Sequence, residues 1–378
     1  MKCRQRIFCS TKRLGARAAA CLLALSILSG CAGDDAASSP ASSDGAVSSA
    51  WTEEVSSLPE ESAAAASSRP ESVPEILDDP SIEPYWLNSL IVYGDMVLEP
   101  FQSSETAAAN YAKVVSDIKQ ALGEVKVYNM VVPTHVEFAL PERFRGAFSD
   151  SQRGTLDAVY NGYTADVAGV DIYDILSLKK REYLYFNTDH HWTGLAAYYA
   201  YTEFAKAAGF EPIAKEEMEK KSIPGLLGSL YDATGLETLK EHPDTVEYFR
   251  IPGDYACSSI RRGGTQLEPT MLLHEYAQGI YAYGVYLGGD TTLFVVRNQA
   301  SDLQNKKKIA VIKESFGNAF APYLAPHYSE VHIIDLRYFK ENLASYVEEN
   351  GIDEVLVINN IKAAASASMQ NYLSGMIS

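Results

Sequence analysis

Short apolar runs alternate with capped helical patterns from about residue 81 onward, and this alternation restricts the fold more than any other feature of the chain. The runs Ser89–Tyr93, Val125–Val132, Gly169–Asp174, Ile309–Lys313, Val331–Leu336 and Val355–Ile358 are rich in β-branched or aromatic residues, as buried strands are. Between several of them lie helical patterns at Ser104–Leu122, Ser151–Tyr163, Thr193–Ala208 and Glu341–Asn350. Ser104 and Thr193 stand where N-caps belong, and Gly209 and Gly351 where helices stop. Strands alternating with helices predict an α/β fold: a mostly parallel sheet with helices on both faces. Ligands of such sheets sit beyond the carboxyl ends of the strands. The stretch from about 225 to 296 breaks the rhythm with Gly228, Gly263-Gly264 and Gly288-Gly289, and is expected to form an inserted, partly β subregion near the site.

The residues before 81 read differently. Residues 1–30 carry six basic side chains, no acidic one and an apolar run from Ala18 to Leu28, the pattern of a secretory signal. An uncleaved membrane anchor is the alternative, but the run is shorter than the roughly 20 residues a spanning helix needs. The run ends in Leu28-Ser29-Gly30-Cys31, which resembles a bacterial lipoprotein signal and makes Cys31 the expected lipidation site. Residues 31–80 are dominated by Ala, Ser, Pro and Glu, with eleven acidic residues against Arg69 alone. Such a segment buries too little to offset its ordering entropy and is expected to be a tether spanning roughly 40 Å. The expected organisation is therefore signal (1–30), acidic tether (31–80) and folded domain (81–378), held outside the cytoplasm on the bacterial membrane by lipid. Loss of the signal takes 32 basic residues to 26 against 49 acidic, which argues against nucleic acid as a partner. Cys257 is then the one thiol left in the domain, so no disulfide within the chain and no thiolate metal cluster is expected.

Chemistry concentrates in Tyr185-Phe186-Asn187-Thr188-Asp189-His190-His191-Trp192-Thr193. In an extended segment Asp189 and His191 point to one side and His190 to the other. A carboxylate that orients an imidazole is half of a catalytic triad. A surface turn or a metal site is the competing reading, although a metal would want a third ligand and no further His or Cys is near in sequence. Ser315, following the run from Lys308 to Lys313, is the candidate nucleophile, with Gly317 permitting close backbone approach and the helix-start amides beyond it as candidate oxyanion donors. A serine after a strand is also an ordinary helix cap. Asn318 and Arg337 are candidate donors to an acyl oxygen or sugar, or else loop contacts. Trp192 is a candidate wall for a sugar or acyl group, or else a core residue, and His190 is expected to hold the loop from behind. Tyr231, Tyr283 and Tyr286, near Gly-rich turns, are candidates for stacking on sugar.

The run Thr188-Asp189-His190-His191-Trp192-Thr193 resembles the motif that names the DHHW proteins, relatives of the periplasmic alginate O-acetyltransferases. Ile91-Val92-Tyr93-Gly94-Asp95, Val131-Val132-Pro133-Thr134, Gly228-Ser229-Leu230-Tyr231, Glu314-Ser315-Phe316-Gly317-Asn318-Ala319-Phe320 and Asp335-Leu336-Arg337-Tyr338 look like further blocks of that family in family order, over residues 82–378. The resemblance implies an SGNH-hydrolase-like three-layer sandwich in which Asp and His precede Ser in the chain. It places the Asp-x-His element on Asp189 and His191 and the nucleophile on Ser315, without a cofactor or a metal. It also implies work beside a membrane-bound O-acyltransferase, on cell-surface polysaccharide. The residue between Asp and His differs from that in the alginate enzymes, so the substrate does not carry over.

Two functions follow as expectations. The first is an O-acetyltransferase or acetylesterase acting on extracellular glycan through an acyl-serine. The second is a non-catalytic lipoprotein that binds glycan or scaffolds an export complex. A Ser315 hydroxyl beyond about 6 Å from the His191 ring would favour the second, because proton transfer needs near hydrogen-bond contact.

Overall fold

The computed structural model describes residues 73–300, 302 and 306–378. The expected signal, Cys31 and most of the tether lie outside the described residues. The described part opens on a small antiparallel sheet of β1 (Tyr85–Leu87), β2 (Leu90–Tyr93) and β3 (Met96–Leu98), so the first predicted strand is not part of the main sheet. Helix α1 (Glu105–Ala121) starts where the Ser104 side chain accepts the Ala107 amide. There follow β4 (Lys126–Val132), α2 (His135–Ala139), α3 (Arg153–Asn161), β5 (Val167–Gly169) and α4 (Tyr173–Lys179). The strand expected over 169–174 is thus shorter and earlier, because Asp171 accepts the Tyr173 amide at 2.9 Å and turns the chain into α4. Helix α5 (Gly194–Ala208) is capped by the Thr193 side chain and stopped by Gly209 at φ 82°.

Next come β6 (Glu219–Leu226), α6 (Ser229–Thr234), α7 (Glu237–Glu241) and β7 (Asp244–Arg250), of which β6 and β7 pair with each other. β8 (Tyr255–Ile260), β9 (Gln266–Thr270), β10 (Leu293–Asn298), β11 (Lys308–Lys313), α8 (Gly317–Phe320), β12 (Glu330–Asp335), α9 (Leu343–Asn350), β13 (Glu354–Asn360), α10 (Ile361–Ala364) and α11 (Ala367–Gly375) complete the chain. The main sheet runs β5-β4-β13-β11-β12-β10-β8-β9. Its first five strands are parallel, and the last three add an antiparallel edge. The 225–296 stretch is partly β, as expected, and β8 to β10 join it to the main sheet.

Alternation along the central strands explains the layers. Tyr128, Met130, Val311, Leu356 and Ile358 face Ala197, Tyr201 and Phe204 of α5. Val127, Val131, Ala310, Ile312 and Val357 face Tyr111 and Val115 of α1 and Leu156 of α3. Both faces are covered, which is why these strands read as unbroken apolar runs. The result is the three-layer SGNH-hydrolase-like sandwich. Among the described residues no helix is long and apolar enough to cross a membrane.

Burial on β12 carries a stability consequence. His332 is 2% exposed, with Nδ1 at 2.7 Å from the Tyr346 hydroxyl. Burial lowers its pKa to about 4, although Glu330 nearby pulls the other way. The unfolded chain, with an ordinary histidine, binds the proton more readily between about 6.5 and 4, so stability falls as pH drops through that window. Urea titrations should show this group lowering the unfolding free energy by roughly 1 kcal/mol per pH unit between pH 6.5 and 5, where ordinary carboxylates barely titrate. A His332→Phe variant that keeps the wild-type slope would exclude it as the source.

Candidate active site

The candidate residues stand where the parallel strands end. A narrow hairpin closes at Tyr185 opposite Trp192, with the Thr193 amide on the Leu184 carbonyl at 2.8 Å. Its tip, residues 187–191, is bent rather than extended. Asp244, buried at the start of β7, fixes that tip from beneath. One of its oxygens accepts from the Tyr183 hydroxyl and the Asn187 amide, and the other from the amide and hydroxyl of Thr188, both at 2.6 Å. Nothing in the sequence near the hairpin announces this residue.

Asp189 is then held in one place. Its Oδ1 accepts the His191 amide at 2.9 Å and lies 2.6 Å from His191 Nδ1, while Oδ2 accepts the Ser229 amide at 3.0 Å. Burial pushes the carboxyl pKa up, but His191, His190 and the Ser229 amide outweigh it and hold the group below the usual carboxylate range. Gly228 packs directly on this side chain: a methyl there would overlap both the carboxylate and Cβ of Asp189.

On the far side of the imidazole, His191 Nε2 lies 2.8 Å from Ser315 Oγ. β11 delivers that serine into a turn that Glu314 and Tyr283 brace. Glu314 accepts the Phe316 amide at 3.1 Å and the Asn360 amide at 2.9 Å, tying the turn to the end of β13. Its Oε2 is also 3.3 Å from Ser315 Oγ, longer than the serine's contact with His191. Tyr283 stacks on the His191 ring at 4.1 Å and 13°, and its hydroxyl donates to the Ser315 carbonyl at 3.1 Å.

Several expected contacts are corrected. Asn318 donates to Asp290 at 2.9 Å, and Arg337 donates to Asp335 and Asp290 at 2.7 and 2.8 Å. Both belong to a buried ion network with Lys313, which is fully buried 3.0 Å from Asp335. In that network burial raises the Asp290 pKa, but Lys313 and Arg337 bring it down to about 2. Charges buried in this way need one another, so neither donor is free for an acyl oxygen. The helix-start amides are also occupied: Phe316 by the Glu314 carboxylate, and Gly317 by the Glu314 carbonyl at 2.9 Å. Tyr231 gives its amide to the Thr188 carbonyl and packs against an apolar cluster with Val92 and Leu239. Tyr286 is buried and donates to the Glu247 carbonyl.

A family model described as DHHW protein matches residues 78–334. This chain belongs to the DHHW family. A solved DHHW family protein from Eubacterium siraeum is 26% identical with a TM-score of 0.72, covering 78% of this chain and 98% of that one. Bacillus cereus PatB1, solved with a sulfonyl adduct, is 18% identical with a TM-score of 0.62, covering 75% of this chain and 99% of that one. No curated protein matches the chain by sequence.

In this DHHW protein the four residues of the motif divide the work. Asp189 orients His191, and His191 reaches Ser315. His190 does not turn away as an extended strand would require. The bend sets its ring against that of His191, tilted by 38° with the centroids 3.8 Å apart, and its Nδ1 2.6 Å from the Ser229 hydroxyl. Burial, together with His191, lowers its pKa to about 4 and leaves it neutral at pH 7. Trp192 is fully buried, so the sugar-wall expectation is replaced by a brace: its Nε1 donates to the Phe316 carbonyl at 2.9 Å and binds the hairpin to the serine turn. Asp189, His190 and His191 offer ligand atoms within 4.8 Å of one another. A cation that took His191 as a ligand would have to break its contact with Asp189 or with Ser315, since His191 spends Nδ1 on the one and Nε2 on the other.

Proposed function

We propose that this DHHW protein is a serine acyltransferase or esterase that moves acetyl groups on cell-surface polysaccharide. The observation carrying the reading is the continuous contact from Asp189 through His191 to Ser315, at 2.6 and 2.8 Å. That is well inside the roughly 6 Å beyond which proton transfer fails and a binding-only lipoprotein becomes the better reading.

The ionised Asp189 accepts a hydrogen bond from Nδ1–H of His191 and so fixes the tautomer that leaves Nε2 bare toward Ser315. Ser315 Oγ attacks the acetyl carbon while its proton passes to Nε2. The alcohol of the donor ester leaves with that proton, and an acetyl-serine remains. A sugar hydroxyl, or water, then attacks the same carbon as His191 takes its proton, and Ser315 Oγ recovers a proton from the imidazolium. Transfer and hydrolysis differ only in which hydroxyl arrives second. The reading places the domain, residues 81–378, outside the cytoplasm on a lipidated Cys31 and the 31–80 tether, beside a membrane-bound O-acyltransferase that supplies the acyl group. The family resemblance supplies the acetyl and polysaccharide parts of the proposal.

Sulfonyl fluorides test the serine directly, and the PatB1 adduct makes them the natural reagent. Phenylmethylsulfonyl fluoride should leave one sulfonate ester on the full chain, on the peptide carrying Ser315, with fluoride as the leaving group. The same treatment should abolish turnover of 4-nitrophenyl acetate. An unreactive protein, or a label on another residue, would overturn the reading.

A further inference from the structure

Exposed apolar side chains gather on one side of the site. Met271, Tyr276, Ile280 and Tyr281 all fall within residues 271–281, with Tyr276 and Tyr281 65% and 74% exposed. Scattered exposed rings are ordinary, but clustered ones call for a partner. The segment is also held firmly. Leu273 bridges Tyr286, the His274 amide meets the Val285 carbonyl at 2.6 Å, and the Leu287 amide meets the Leu272 carbonyl at 3.2 Å. The Tyr276 hydroxyl lies 2.6 Å from Nδ1 of the buried His274, so one exposed ring is set in place before anything binds.

These rings border a trough of about 600 Å³. Tyr276 and Tyr281 form walls, Arg261 and Gln278 supply donors, and Gly288 and Gly289 leave the floor free of side chains. Strand register fixes where the trough stands. Ile260 pairs with Leu293, Leu293 with Ile334, and the next residue, Asp335, with Lys313. Arg261 is therefore on the same sheet edge as Ser315, three strands across, about 14 Å away. The turn Gly279–Val285 joins the two places, because its Tyr283 lies on His191 and Ser315.

We infer that this trough is an acceptor subsite for an extended, uncharged glycan whose chain continues toward Ser315. Flat rings suit the C–H faces of sugars, while a guanidinium and an amide suit their hydroxyls. A net charge of -17 disfavours a polyanion. Only an extended molecule reaches both places at once. The inference rests on the acyl-transfer reading for the direction in which the chain runs.

Calorimetry on the full chain tests it, with β-1,4-linked hexasaccharides of N-acetylglucosamine, xylose and mannose as probes. At least one should bind, more tightly than its disaccharide. Tyr281→Ala should weaken it by about fivefold and Tyr276→Ala/Tyr281→Ala by about thirtyfold, while Tyr281→Phe keeps the ring and stays within about twofold. Melting temperatures of the variants check that they fold. Three hexasaccharides that do not bind, or folded ring variants that bind as wild type does, overturn the inference. So do ring variants that lose self-association or retention on phosphatidylglycerol vesicles while hexasaccharide binding is unchanged, because the occupant is then a second copy or a lipid surface. Calorimetry reads no turnover, so a wild type inert toward 4-nitrophenyl acetate sinks the acyl-transfer reading and leaves the subsite to be judged on its own titration.

Discussion

Ser315→Ala should lower turnover of 4-nitrophenyl acetate by about 10⁴ to 10⁶, the range seen when the nucleophile of a serine triad is removed. The substitution deletes one half-exposed hydroxyl and leaves the backbone of the turn to its other braces. Glu314 still holds the Phe316 and Asn360 amides, and Trp192 still reaches the Phe316 carbonyl. The melting temperature should therefore barely move, which separates lost chemistry from lost structure. His191 Nε2, 2.8 Å from the missing oxygen, would face the cleft and take a water in its place. That water gives the experiment its discriminating power. Residual turnover within tenfold of wild type would mean that His191 activates water directly on the ester, without an acyl-serine, and the transferase part of the proposal would go with it.

The sequence carried the architecture well where the rules are local. Ser104 and Thr193 cap their helices as expected, Gly209 stops α5 in the left-handed region, and five of the strands pair in parallel. The meeting of Ser315 with His191 was also legible, since one residue follows a strand and the other precedes a helix in a fold whose sites lie at strand ends. What escaped depends on distance or on a bend. Asp244 fixes the motif from more than fifty positions downstream, and one carboxylate among 49 acidic residues carries no mark of that task. Tyr283 reaches the imidazole from the Gly-rich stretch, where it looked like a candidate for sugar. His190 was misplaced because the tip bends where an extended strand was assumed. Asn318 and Arg337 have the right side chains for an acyl oxygen, but the carboxylates of half-buried Asp290 and buried Asp335 engage them first.

Gly228→Ala should lower kcat by about 10² to 10⁴ with a much smaller change in KM, although residue 228 touches neither Ser315 nor His191. The backbone there is at φ −98° and ψ −160°, which any residue adopts, so no conformational strain enters. The whole effect is steric. The new methyl would occupy the space of the Asp189 carboxylate and Cβ, and one of the two must move. The backbone of Asp189 has little freedom, because Asp244 bonds both the amide and the hydroxyl of Thr188 next to it. The carboxylate is the softer element. Its rotation breaks the contact with His191 Nδ1 and frees the imidazole to take the unproductive tautomer. Overpacking of this kind costs about 1 to 3 kcal/mol of stability as well, so the variant should be assayed well below its melting temperature. Gly263→Ala, where nothing lies within 4 Å, controls for a glycine change in the same region. If the cause is displacement of Asp189, then Gly228→Ala combined with Asp189→Asn should be scarcely worse than Asp189→Asn alone, because both act on one bond. Additive losses would mean that the methyl pushes the 228–229 segment aside instead, and that Asp189 keeps its hold on His191 without the Ser229 amide.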